Sequence, residues 1–495
     1  MKTRYYKLFF ISLLLGAAFY ACTEDEFGDM LPPSAEFNFT PALPIEGQEM
    51  LFYADPTEGS GAITSWQWDF SDGSTAAKRN PYHTFQQAGT YEVMLTVGNA
   101  AGAVHQFKRS VVVSPPPKEF VGELVWSFTN NTTVSNINEG SNKPAIAEDG
   151  TIYYIEGNAA AQSKMVAVTD EGSTAVLKWA TVLGNQVSNA PSIGPDGNVY
   201  INTWAANRAI AKVDGGSGAI LWSGSVGTGV SNNTPAIDAQ GNVYHGSRQQ
   251  GSNGGAFSWS PSGEKRWEIT GVGAFYAAPV ISKDGQTVYF LNTNEGKIWA
   301  VNAADGTSKW SESVGPGSGT HGTSLSMDAD GTVYYTTNAH VVAIRDDGAT
   351  GAIKWAAAVT GAAQSGVVIG PNGDLYTGSG AGLLSLNPTN GEINWTYDMQ
   401  TTESVPAVDI DGNIYIGSTD GKLVVVNSEG LLSKEFSLGT GAVNSPVITG
   451  DGTVYVEGLD GTAIKLHKIA VMESGPAVSP WPMKGKNLKN TSLAD

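Results

Sequence analysis

The phrase Asp330-Gly331-Thr332-Val333-Tyr334 decides how most of this chain is read, because it returns seven more times. Its other copies are Asp149-Gly150-Thr151-Ile152-Tyr153, Asp196-Gly197-Asn198-Val199-Tyr200, Gln240-Gly241-Asn242-Val243-Tyr244, Asp284-Gly285-Gln286-Thr287-Val288-Tyr289, Asn372-Gly373-Asp374-Leu375-Tyr376, Asp411-Gly412-Asn413-Ile414-Tyr415 and Asp451-Gly452-Thr453-Val454-Tyr455. Asp-Gly or Asn-Gly between two apolar runs marks a tight hairpin, since such a turn needs positive φ. Each phrase therefore predicts two antiparallel strands. Successive tyrosines are 47, 44, 45, 45, 42, 39 and 40 residues apart, a period that suits one four-stranded propeller blade.

A third apolar run follows each tyrosine, as in Lys297-Ile298-Trp299-Ala300-Val301, and then a fourth strand carrying an aromatic. Those aromatics are Trp126, Trp179, Trp222, Trp267, Trp310, Trp355, Trp395 and Phe436. The phase is offset. Glu123 to Phe128 reads as a fourth strand with no set before it, and the set ending near Ile469 has no ordinary fourth strand after it. Pairing the two orphans would close a ring of eight blades and remove an exposed sheet edge. The fold class expected is all-β, with an eight-bladed propeller closed by its own N-terminal strand.

Residues 34 to 114 carry period-two alternation of a different kind, in Met50-Leu51-Phe52-Tyr53, Ser65 to Phe70 and Tyr91 to Val97. About 80 residues of this pattern fit a β-sandwich. Ahead of it, Lys2, Arg4 and Lys7 precede the apolar run Leu8 to Phe19, which reads as a signal peptide over residues 1–21. The run ends at Phe19-Tyr20-Ala21-Cys22, and Cys22 is the chain's one cysteine. Residues 22–33 form an acidic tether and 115–121 a proline-rich linker. The propeller is expected over 122–470, with 471–495 as a tail packed on it.

Composition agrees with a turn-rich β protein: 61 Gly, 18 Tyr, 13 Trp and only 15% charged residues. A formal charge of −19, from 28 basic and 47 acidic residues, repels phosphate backbones, so nucleic acid is not an expected partner.

Four resemblances sharpen this reading. Trp68-Asp69-Phe70-Ser71-Asp72-Gly73, Asn80-Pro81-Tyr82-His83-Thr84-Phe85 and Gly89-Thr90-Tyr91 stand in the order of the polycystic-kidney-disease (PKD) domain, an immunoglobulin-like sandwich; Ser71 replaces the glycine usual in that family. Ala300 to Trp310 and Ser385 to Trp395 resemble the tryptophan-docking repeat of pyrroloquinoline-quinone-type (PQQ-like) propellers. The resemblance implies a docking role for Trp126, Trp179, Trp222, Trp267, Trp310, Trp355 and Trp395. Finally, the stretch ending in Cys22 is similar to a bacterial lipobox, although Phe19 stands where leucine is expected. This implies lipidation at Cys22, and Thr23 to Asp29 resemble the surface-export signal of Bacteroidota lipoproteins. An outer-membrane lipoprotein facing the cell exterior is expected, touching the membrane only through the Cys22 lipid.

No catalytic constellation emerges. The quinone-binding members of the family use Ca²⁺, a catalytic aspartate and, in one type, a disulfide between adjacent cysteines; here the aspartates sit in Asp-Gly turns and no second cysteine exists. No cofactor is expected. The six histidines are scattered, and only His245, His321 and His340 are placed where neighbouring blades would bring them together for a metal. Recognition is expected on the loop face, with Trp204, Arg208, Arg248, Phe275, Tyr276, His321, Asn189 and Asn233 as ligand-binding candidates. The function expected is non-catalytic binding of glycan or another envelope protein. The alternatives are a periplasm-facing scaffold, resembling the propeller lipoprotein of the barrel-assembly machinery, and a quinoprotein or metal-dependent lyase.

Overall fold

A computed structural model describes residues 31–41, 44–115, 120–130, 142–156, 163–184, 187, 189–205, 208–226, 233–247, 254–292, 296–313, 324–359, 365–401, 403–471 and 475–494, with the side chains of residues 204, 205 and 208 left aside. The chain divides into two compact units, 1–118 and 119–495. Among the described residues every regular element is a β-strand.

The first unit packs a three-stranded sheet (Ser34–Thr40, Glu49–Thr57, Tyr82–Thr84) on a four-stranded one (Thr75–Ala76, Ile63–Asp69, Gly89–Asn99, Val104–Val113). Alternate residues turn inward, and Phe37, Phe52, Trp68, Phe70 and Phe85 fill the space between the sheets. Trp68 remains in that core because its one polar atom is satisfied: the indole N–H donates to Lys78 O at 2.9 Å. Ser71 adopts φ of +65°. This is the left-handed region, which explains glycine at that position in related domains. His83 stacks on Phe70 at 4.0 Å and meets Asp72 at 2.8 Å, a local brace for the same turn.

Among the described residues the second unit forms eight four-stranded antiparallel sheets in chain order: residues 145–184, 192–224, 236–270, 280–313, 326–358, 368–397, 407–437, and 447–471 joined by 122–128. They are the first to eighth sheets below. In each, the first strand has two residues, both buried, and the second strand is buried almost throughout. The fourth strand alternates inward and outward. The eighth sheet draws its fourth strand from the start of the unit, Gly122–Phe128, which pairs with Ala463–Val471 so that Leu124 faces Ile469 and Phe128 faces Leu466.

One kind of contact recurs between neighbouring sheets, except from the seventh, whose fourth strand carries Phe436. Elsewhere the fourth-strand tryptophan lies on the turn between the third and fourth strands of the following sheet and donates its indole N–H there. Trp179 reaches Gly215 O at 3.1 Å, Trp222 reaches Pro261 O at 3.0 Å, Trp267 reaches Ala303 O at 3.0 Å and Trp355 reaches Pro388 O at 2.9 Å. Trp310 uses a carboxylate instead, Asp346 Oδ1 at 2.8 Å, and so does Trp126 of the eighth sheet, which bonds Asp170 Oδ1 of the first sheet at 3.1 Å. The ring needs a flat floor, and a glycine supplies it: a Cβ on Gly218, Gly263, Gly306, Gly391 or Gly430 would stand within 2.8 Å of an indole atom.

The segment 475–494 ties the sheets a second way. Its carbonyls accept from the first-strand amides of six sheets: Leu488 from Ile146, Lys489 from Ile193, Thr491 from Ile237, Ser492 from Ile281, Trp481 from Ile369 and Pro482 from Val408, all at 2.8–2.9 Å. Lys143, just before the first sheet, is fully buried and donates to Lys484 O, Asn487 O and Asn490 Oδ1 at 2.7–2.8 Å. Burial, reinforced by the nearby Lys484 charge, lowers its pKa well below that of an ordinary lysine.

Two substitutions test these ties. Gly306→Ala places a methyl 2.8 Å from the Trp267 ring at φ of +76°, whereas Gly285→Ala, at φ of +70°, meets nothing within 4 Å. Chemical denaturation is expected to show a loss of roughly 2–4 kcal/mol for the first and about 1 kcal/mol for the second. Lys143→Met leaves three acceptors without their donor and is expected to lose about 3 kcal/mol; equal midpoints for variant and parent would remove Lys143 from the account.

Candidate functional site

The residues just before each first strand form a polar belt that crosses from sheet to sheet. Asn189 Nδ2 donates to Asn202 O at 3.0 Å, Asn202 Nδ2 to Asn233 Oδ1 at 2.8 Å, and Asn233 Nδ2 to Phe275 O and Ala277 O at 3.1 and 3.2 Å. Further round, Ser365 Oγ donates to Ser404 O at 2.6 Å and Ser404 Oγ to Asn444 O at 3.2 Å; Ser445 N then donates to Asn142 O at 3.0 Å. Burial of so many amides is tolerable because each of these donors has a partner. The belt is a lacing between sheets, made mostly by side chains.

This belt changes how the ligand-binding candidates are seen. Asn189 and Asn233 are buried and their amide N–H groups are engaged in the lacing. Phe275 is buried against Phe290 and Trp299 at 5.8 and 6.3 Å. The sequence placed all three on an open loop face, and tertiary packing draws them inside, because a polar side chain one residue from a buried strand can satisfy the neighbouring backbone. Tyr276 is half-buried. Trp204 lies in the strand Val199–Ala205 and Arg208 opens the next one, Ala205 pairing with Arg208 at the hairpin end. Arg248 and His321 lie outside the described residues, as does Cys22.

His245 is enclosed in the third sheet. Trp259 Nε1 donates to its Nε2 at 2.9 Å, and its Nδ1 donates to Gly246 O at 3.2 Å, so both ring nitrogens are engaged and the metal-ligand reading of His245 fails. Burial pushes His245 down to about 4, and His467, bonded through Nδ1 to Ser127 Oγ, also to about 4 by burial. Among the described residues no three His, Cys, Asp or Glu side chains stand together as a metal set.

Two groups that sequence reading passed over are Glu156 and Glu457, each fully buried near the inner end of a second strand. The signal was present: a charged residue closes an otherwise apolar run in Ile152-Tyr153-Tyr154-Ile155-Glu156 and in Val454-Tyr455-Val456-Glu457. Tyr154 donates to Glu156 Oε1 at 2.6 Å, and Asn444 Nδ2 to Glu457 Oε2 at 3.1 Å. Burial pushes Glu457 up to about 8 against the opposing hydrogen bonds from Asn444 and Asn142. Lys484, also buried, is pushed down to about 8 by desolvation and held up in part by Glu403 and Glu457.

Clefts open between sheets. One of about 350 Å³ is bordered by Asp238, Tyr244, Arg266, Gln286, Asn302 and Lys309. Arg266 is already bonded there to Tyr244 OH, Ser258 Oγ and Ala303 O, and Lys309 to Thr287 Oγ1, so this cleft is a joint whose cations serve the fold. Another, of about 440 Å³, lies where the eighth sheet meets the first, beside Asp149, Asp170, Asp451 and Tyr455. Asp170 there gathers Trp126, Tyr455 and Lys468, and despite the opposing effect of burial these bonds hold its carboxyl below the usual range.

Comparison with known proteins places both units. The family profile described as the PKD domain matches residues 31–114. The profile described as outer membrane protein assembly factor BamB matches 206–369 and 379–469, a little over half of the chain. Collagenase ColA of Bacillus cereus is 28% identical over 167 residues, which is 33% of this chain and 16% of that protein. Outer membrane protein assembly factor BamB of Yersinia pestis is 29% identical over 224 residues, 40% of this chain and 56% of that protein. In both, the matched stretch is less than two thirds of the relative's own length. The crystal structure of BamB from Moraxella catarrhalis superimposes with a TM-score of 0.52 at 17% identity, covering 70% of this chain and 97% of that one, a likeness of fold.

The two buried histidines set a pH dependence. Each is neutral when folded, with a pKa of about 4 against 6.5 for the free side chain. The unfolded chain therefore gains protons that the folded chain refuses as pH falls from 6.5, and stability drops until about pH 4. Each site is expected to account for on the order of 3 kcal/mol. Replacing His245 with Gln should flatten this slope in urea titrations at pH 7, 5.5 and 4; an unchanged slope in the variant would show that His245 is not its source.

Proposed function

The chain belongs to the family described as outer membrane protein assembly factor BamB, and from that membership we propose that it is a non-catalytic, protein-binding scaffold of the cell envelope that works in outer-membrane protein assembly. In this reading the eight sheets are eight blades, the pairing of 122–128 with 463–471 closes their ring, and Cys22 carries the lipid that anchors the mature chain. The PKD domain of 34–114 and the linker of 115–121 are a spacer between anchor and propeller.

The observation that carries the proposal is how fully the interior is committed. The Asn202 and Asn233 amides and the Ser365 and Ser404 hydroxyls of the polar belt bond from sheet to sheet, and the tail occupies the first-strand edges of six sheets. Recognition then falls to loops standing on a rigid frame. Asn189, Asn233 and Phe275 belong to the frame; Trp204, Arg208, Arg248, Tyr276 and His321 remain the proposed contact residues. Aromatic and arginine side chains supply the anchors from which protein interfaces draw most of their energy.

A second reading is a surface-exposed glycan or protein binder. It is favoured by Thr23-Glu24-Asp25-Glu26, which follows Cys22 directly, and by the PKD domain, which forms no part of the BamB profile match.

Photo-crosslinking residues at positions 204, 248 and 276, introduced one at a time into the chain in its own cells, are expected to capture envelope proteins of the assembly machinery. Replacing Trp204, Arg248 and Tyr276 together with Ala should weaken that capture by roughly thirtyfold. Digestion of intact cells by external protease separates the two readings: a protected chain faces inward as an assembly scaffold, whereas a digested chain with no assembly partner crosslinked belongs to the second.

A further inference from the structure

Nearly all the aromatic rings are buried or half-buried. Among the described side chains only Tyr53 and Tyr82 stand exposed, at 42% and 64%, and both lie on the three-stranded sheet of the first unit. Register and the two-residue period put them on one face. Tyr82 pairs with Leu51, which stands two residues before Tyr53 on the central strand, while Met50, Phe52 and Ala54 turn the other way into the core. Diagonal neighbours of this kind lie roughly 7–8 Å apart, close enough for one partner segment to cover both. The core of the first unit is filled from the opposite face, so burial does not account for either ring.

The surroundings of the pair decide what can cover it. Asn38 stands opposite Tyr53 and Thr40 opposite Leu51; on the same face Glu36 stands opposite Asp55, and Glu49 closes the other end of the central strand. All three acids are exposed, and no ion pair reaches them among the described residues. The three strands carry neither lysine nor arginine. Arg109, which reaches Asn38 from the other sheet, is engaged by Phe37 O and Asn38 Oδ1 and lies over Phe39.

Two carboxylates directly opposite each other on a strand pair repel. A neutral sugar chain can stack on the tyrosines but leaves that repulsion in place. A second copy of this chain, with its formal charge of −19, adds to it. A lysine or arginine side chain removes it and also finds the faces of two tyrosine rings. An aromatic centre inside a charged rim is the anatomy of a protein interface.

We propose that this face, centred on Tyr53 and Tyr82 and bordered by Glu36, Glu49 and Asp55, docks a basic segment of a partner protein, its cations over the acids and its apolar groups over the tyrosines. The first unit is then a binding module as well as a spacer, and its contact is separate from the propeller loops.

The probe is a fluorescent peptide of alternating lysine and leucine, with a glutamate and leucine peptide as its counterpart, titrated into the purified full chain and read by anisotropy. The parent is expected to bind the first and not the second. Tyr53→Ala with Tyr82→Ala, and separately Glu36→Gln with Asp55→Asn, should each weaken binding roughly tenfold. These side chains are exposed, so the variants are expected to keep the parent's melting temperature. Glu171→Gln with Glu264→Gln, which removes two exposed acids from the second unit, should leave binding unchanged. Binding indifferent to the tyrosines, or weakened equally by the second-unit pair, would mean general attraction to an acidic protein and overturn the site. So would a soluble neutral β-glucan held by the parent and released by the tyrosine variant while the lysine peptide goes unbound. No propeller residue enters the reading, so its failure leaves the loop-face proposal standing, and the converse holds.

Discussion

The second unit rests on an indole lying flat on a glycine. A tryptophan in the fourth strand of one sheet covers the turn of the next, and at five of these joints the turn accepts it because its glycine has positive φ and no Cβ. The contact removes a large apolar ring from water while its N–H finds a carbonyl or a carboxylate, so the polar atom does not oppose burial. It also fixes the angle between sheets, since a flat ring on a flat turn allows little rotation. The variations are informative: Trp310 and Trp126 use Asp346 and Asp170, which in turn accept from Tyr289 and Tyr455 at 2.6 Å.

Such a joint acts near the outer edges of the sheets, and the inner edges need their own tie. There the strands are two residues long and offer amides that no neighbouring strand can take. The tail supplies the carbonyls, touching six sheets within a few residues, and Lys143 holds its turn from beneath. An ammonium buried among three oxygens is costly to desolvate and costly to remove once its partners depend on it. The inner tie is therefore specific in a way that apolar packing is not: it accepts one register of the tail.

Much of this was legible in the sequence, for physical reasons. Asp-Gly turns, the tyrosine period and the fourth-strand tryptophans are local signals, each readable from a few adjacent residues, and the phase offset predicted the pairing of 122–128 with the end of the unit. The inward turn of Asn189, Asn233 and Phe275 was not legible. It depends on what the adjacent sheet offers each side chain, and a polar residue ahead of a strand looks the same in sequence whether it faces water or a neighbouring carbonyl. The burial of Glu156 and Glu457 could have been suspected from their place at the end of apolar runs.

Its assembly sets the eighth sheet apart. Elsewhere a single stretch of chain forms all four strands of a sheet, and the connection itself keeps them together. The eighth sheet joins segments more than 300 residues apart, so loop closure opposes it and covalent continuity does not help. Extra interactions are found where this argument needs them: a long register between 122–128 and 463–471, and an aspartate gathering Trp126, Tyr455 and Lys468 across the joint.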